Sequence, residues 1–138
     1  MPARVVDGDA IYFSDKVRAL KPEYRVEYSY LIPLAEANGV FEVDPDRIWA
    51  KAYAYHRDGI TPGWVRELLE DLKRVDLLRT WSEAGKTWGF WVGIDKSGRL
   101  PGKAHLSRYK NLPPDAPLRV KSDDPFPDNP GESGIGQE

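Results

Sequence analysis

Thr61–Gly93 reads TPGWVRELLEDLKRVDLLRTWSEAGKTWGFWVG. Its first half has a helical rhythm: Val65, Leu68, Leu69 and Leu72 fall three and four residues apart and form one apolar stripe. Thr61 supplies a hydroxyl that can cap the first free amides, and Pro62 suits a first helical position, where no N–H is needed. The second half changes period. Leu77–Ser82 and Lys86–Ile94 read as antiparallel strands joined through Glu83-Ala84-Gly85, with Gly85 free to take a positive φ. Along the second strand Trp88, Phe90, Val92 and Ile94 alternate onto one face, and Trp91 falls on the other with Gly89 and Gly93. We expect the Phe90 and Val92 face to pack on the helices.

Upstream, Asp44-Pro45 repeats the cap-plus-proline signal and opens a helix whose stripe is Ile48, Trp49, Ala52 and Tyr53. His56–Ile60 is the turn between these two helices. Pro22–Asn38 predicts an earlier helix, with Tyr24, Tyr28, Leu31, Ile32 and Ala35 at helical spacing, bent at Pro33 and stopped by Asn38-Gly39. Val40, Phe41 and Val43 form a short strand that can join the hairpin. Helix, strand, helix, turn, helix, hairpin is the order of a winged helix-turn-helix, an α+β fold with a small antiparallel sheet. The expected organisation is an N-terminal arm over 1–10, the winged domain over 11–94, a basic arm over 95–121 and an acidic disordered tail over 122–138.

Composition bounds the function. A chain of 138 residues with 41% hydrophobic content can bury one core, and no apolar run is long enough to cross a bilayer. No signal peptide is recognisable at the N-terminus. The absence of cysteine excludes thiolate chemistry and disulfides and agrees with a cytoplasmic location. His56 and His105 are too far apart for a helical metal pair, and no nucleophile elbow or phosphate loop occurs. We therefore expect no enzyme, no cofactor, no metal, no membrane and no small-molecule substrate. The net charge of −2 hides a contrast: Lys96, Arg99, Lys103, Arg108, Lys110, Arg119 and Lys121 are opposed by Asp115 alone, whereas 122–138 carries five acids and no base.

YSYLIPLAEANGVFEVDPDRIWAKAYAY, ITPGWVRELLEDLKRVDLLRTW and GKTWGFWVGIDKSGRLP together resemble the N-terminal winged-helix domains of phage and prophage replication-initiator or replisome-organiser proteins. The resemblance covers roughly Tyr24–Pro101 and implies a protein that binds double-stranded DNA in replication initiation or transcriptional regulation, without catalysis. Arg57, Thr61, Gly63, Trp64 and Arg66 surround the leading end of the third helix, where backbone amides and the helix dipole favour phosphate. Lys86 at the hairpin turn and Arg79 on the neighbouring strand are placed to reach the backbone, and Lys96, Arg99, Lys103, Arg108 and Lys110 form a cationic arm that would follow it by counterion release. The ordinary roles compete: Thr61 as a cap alone, Arg66 paired with Glu70 one turn on, the tryptophans as core rather than stacking platform. Glu67, Glu70 and Asp71 on the third helix also suit a polar protein interface, so the alternative is an interaction module that self-associates or binds a replisome protein.

Overall fold

In the computed structural model the residues described are 8–96, 100–101, 106–109 and 111–117. They form an α+β fold in which short helices pack on a three-stranded antiparallel sheet. No helix among the described residues is long and apolar enough to cross a membrane.

The first two elements were not expected. Helix α1 spans Gly8–Tyr12 and α2 spans Asp15–Ala19, so the N-terminal arm proposed through residue 10 gives way to helix at Gly8. Neither is long enough to persist alone. Tertiary contacts hold α2: Ser14 Oγ accepts from the Val17 amide at 3.4 Å, and buried Lys16 donates to the Asp76 carbonyl at 3.1 Å, sixty residues away.

The helix predicted over Pro22–Asn38 is shorter and divided. A 3-10 turn at Pro22–Tyr24 leads into α3, Arg25–Leu31, and a second 3-10 turn at Ile32–Leu34 ends it. Pro33 is the reason, because its missing N–H and its ring do not allow the α ladder to continue. Asn38-Gly39 then serves the start of strand β1, Val40–Glu42, with Gly39 at φ 85°.

Helix α4 opens as expected. Asp44 Oδ1 accepts from the amides of Asp46 at 3.0 Å and Arg47 at 3.5 Å, and Pro45 is the first helical residue. The α4 ladder over Pro45–Ile48 widens into a π turn at Trp49–Tyr53, closed by the Ala54 amide on the Trp49 carbonyl at 2.8 Å. Helix α5, Pro62–Arg74, buries Val65, Leu68, Leu69 and Leu72, the predicted stripe. It stops in a Schellman arrangement: Leu77 N–H bonds the Leu72 carbonyl and Asp76 N–H the Lys73 carbonyl, both at 3.0 Å. Asp76 takes the left-handed position, φ 60°, that glycine usually fills.

Strands β2 (Leu78–Glu83) and β3 (Lys86–Trp91) pair antiparallel, and β1 adds to the other edge of β3, giving the order β1-β3-β2. Glu83 lies opposite Lys86, so the connecting turn has two residues, Ala84 and Gly85, rather than three. Their φ values of 54° and 78° match the backbone that a tight hairpin requires. Strand β3 ends at Trp91, before the expected Ile94, because the chain turns at Gly93.

The face assignment within β3 is a correction. Phe41 is opposite Gly89, and Leu78 is opposite Trp91, so these four share one side of the sheet. That side meets the helices: Trp91, 2% exposed, packs edge-on against Tyr28 of α3 and tilted on Phe41. Phe90 lies on the reverse side, against Trp81. Strand β3 buries aromatics on both faces, Trp91 on one and Phe90 on the other, so their alternation does not say which side is inner. Packing also continues beyond Ile94. Leu100 and Ala116 rest on the core, and Asn38 Nδ2 donates to the Pro113 carbonyl at 2.7 Å.

Candidate functional site

The turn from Ala54 to Thr61 joins α4 to α5, and its conformation is fixed from three sides. Trp49 Nε1 donates to the Ile60 carbonyl at 2.6 Å. The amides of His56 and Arg57 both return to the Tyr53 carbonyl. Arg57 Nη1 donates to Glu27 Oε2 at 2.5 Å, and Tyr53 OH donates to Glu27 Oε1 at 2.8 Å. Glu27 is 1% exposed, and these two hydrogen bonds offset the cost of burying its carboxylate. Burial, followed by the Glu27 hydrogen bond, pushes the Tyr53 phenol far above its ordinary range and keeps it a neutral donor. The same hydrogen bond raises the Arg57 guanidinium further.

Arg57 also lies over two rings, 5.6 Å from the centroid of Tyr53 and 5.9 Å from that of Trp64. Trp64 in turn stands edge-on to Tyr24 at 5.2 Å and to Tyr53 at 5.8 Å. Of the residues expected to approach phosphate, Arg57 and Trp64 are thus built into the junction of α3, α4 and α5. Sequence reasoning missed Glu27 and Tyr53, since a glutamate on a tyrosine-rich helix reads as a solvated position.

Thr61 is the α5 cap, its Oγ1 accepting from the Trp64 amide at 3.1 Å. Gly63 is exposed, and a Cβ there would meet only Thr61 Oγ1 at 3.8 Å. Arg66 is exposed one turn further on. The pair expected between Arg66 and Glu70 is not among the ion pairs of the described residues. Glu70 instead holds Lys73 at 2.5 Å, and buried Asp71 holds Arg74 at 2.7 Å while also accepting from the Lys21 amide at 2.9 Å. The α5 acids are therefore largely matched by cations of the same helix.

On the hairpin, Arg79 differs from the expectation of a free cation. It makes a two-pronged bond to Asp76, with Nε–Oδ1 at 2.8 Å and Nη2–Oδ2 at 2.6 Å. The spacing Asp76-x-x-Arg79 was the signal available in the sequence. Lys86 stands exposed beside the turn, its ammonium 5.8 Å from the Trp88 ring. Lys96 is half-buried and Arg108 exposed. Arg99, Lys103 and Lys110, like the acidic tail, lie outside the described residues. Trp81 and Trp88 face each other across β2 and β3, and the indole N–H groups of Trp81, Trp88 and Trp91 are buried with no hydrogen-bond partner. Trp91 belongs to the core and Trp81 packs against it, while Trp81 and Trp88 are only partly buried. Among the described residues no group of His, Asp and Glu is arranged to hold a metal ion.

No protein-family model, curated protein or solved structure matches the chain.

Proposed function

We infer that the chain is a winged helix-turn-helix protein that binds double-stranded DNA, in replication initiation or transcriptional regulation of a phage or prophage. The supporting observation is the order α3-β1-α4-α5-β2-β3 together with β1 beside β3, which is the connectivity such a domain needs. In this reading α4 and α5 are the helix-turn-helix, α5 enters the major groove by its leading end, and the Ala84-Gly85 turn is the wing. Arg66 on α5 and Lys86 on the wing are exposed cations expected there to meet phosphate. The role in phage biology rests on the sequence resemblance alone. The test is fluorescence anisotropy of a labelled duplex at low salt. Arg66→Gln and Lys86→Gln should each weaken binding without lowering the melting temperature, and full retention of affinity in both variants would contradict this surface.

A second reading, an interaction module, is favoured by one observation. Val26 is 71% and Tyr30 45% exposed, one turn apart on α3, and Tyr55 just after α4 is 93% exposed. Large apolar side chains left exposed suit a protein partner. Light scattering after size exclusion separates the readings: a stable oligomer that retains no duplex supports the module.

A further inference from the structure

The geometry points to Arg57 as a positioning residue rather than a DNA contact: with Glu27 and Tyr53 it forms a clamp that sets the α4–α5 turn and thereby the angle at which α5 presents its leading end. The inference rests on the DNA-binding reading for its functional consequence, and its structural half stands apart from that reading.

Three observations carry it. First, the Arg57 guanidinium donates Nη1 to a carboxylate at 2.5 Å and lies over two aromatic faces, while 44% of the side chain stays exposed. A phosphate that displaced Glu27 from Nη1 would leave that carboxylate, which is 1% exposed, with Tyr53 as its remaining partner among those contacts. A buried carboxylate stripped of its cation is strongly unfavourable, so exchange is opposed. Second, the clamp spans the junction. Glu27 belongs to α3, Tyr53 closes the π turn of α4, and Arg57 sits four residues before the Thr61 cap of α5. Third, the Arg57 side chain covers Trp64, the residue whose amide Thr61 caps, so one contact set holds both the turn and the first turn of α5.

The clamp makes a prediction that a contacting arginine does not. Removing a phosphate contact lowers the slope of log K against log salt by about one. Arg57→Gln should weaken binding tenfold or more and leave that slope unchanged, whereas Arg66→Gln and Lys86→Gln lower it. The double variant Glu27→Gln/Arg57→Gln distinguishes the roles further. Two amides can bond each other and leave no isolated buried charge, so binding should recover at least threefold over Arg57→Gln. A contacting arginine predicts no recovery, because the cation is equally absent from both.

The experiment uses the full chain: salt-titrated anisotropy on the two variants, with amide hydrogen exchange over residues 58–65 in DNA-free protein. Faster exchange there in Arg57→Gln, returning toward wild type in the double variant, is the expected result and is read without DNA. Unchanged exchange in Arg57→Gln, or a slope reduced by one, would overturn the clamp. Failure of the wild type to bind duplex would count against the DNA-binding reading and leave the exchange result to judge the clamp.

Discussion

Gly89 has no side chain to hide, yet the sheet closes over the place where one would go. A Cβ built there would lie 2.6 Å from Val43 Cγ2, 3.0 Å from the Arg79 carbonyl oxygen and 3.2 Å from Leu78 Cδ1. Val43 is β-branched and stiff at χ1, and the carbonyl belongs to the neighbouring strand, so neither yields easily. Gly89→Ala should therefore fall in the upper part of the overpacking range, about 2–3 kcal/mol of lost stability. For a domain of this size that lowers the melting temperature by about 10–15 °C. Val43→Ala alone removes two buried methyl groups and should cost about 2 kcal/mol. In the double variant the nearest obstruction is gone, so the total should be about 3 kcal/mol rather than the sum, a coupling of more than about 1 kcal/mol. Urea denaturation followed by tryptophan fluorescence measures all three. A Gly89→Ala cost below roughly 0.5 kcal/mol, or strict additivity, would refute the packing of β1 and β2 around β3 on the helix-facing side.

Three other outcomes follow from local chemistry. Ala84 occupies a left-handed position, φ 54°, in the two-residue hairpin turn, so Ala84→Asn should stabilise by about 0.5–1 kcal/mol in the same denaturation assay. Thr61→Ala should cost about 1 kcal/mol through loss of the α5 cap, whereas Thr61→Asp should keep the stability and lose duplex affinity, because its carboxylate stands where phosphate would approach. At Asp71 burial raises the carboxyl pKa, but the Arg74 hydrogen bond, the Lys21 amide and the charges of both residues outweigh it, leaving the group below its ordinary value. A folded-state value under the unfolded one stabilises the protein above the unfolded value of about 3.9, and that share is lost as pH falls through the folded value. Asp71→Asn should therefore be less stable than wild type at pH 7, and denaturation midpoints should show the gap closing only at acid pH.

Much of the fold was legible because its signals are local. Asp44-Pro45 and Thr61-Pro62 act on amides two and three residues away, and both caps form as the residues dictate. The α5 stripe needs only helical spacing, and Gly85 marks the hairpin turn, although Ala84 shares its left-handed backbone. What escaped reading is non-local. Helix α2 depends on Lys16 reaching Asp76, and nothing in DKVRA announces a buried lysine. The inner face of β3 is not legible in sequence because Gly89, the residue that marks it, contributes no hydrophobicity. The site divides the same way: Thr61, Gly63, Arg66 and Lys86 lie exposed as expected, while Arg57 is held by a glutamate thirty residues earlier and Arg79 by an aspartate three residues earlier. A cation's role depends on the acid that folding sets beside it, and for Arg57 that acid is distant in sequence.

The salt dependence of duplex binding by the whole 138-residue chain tests the central claim most directly. Phosphate contacts from at least Arg66 and Lys86 predict that log K falls linearly with log salt at a slope of about −2 or steeper. Absence of binding at about 50 mM salt, or an affinity indifferent to salt, would contradict the account.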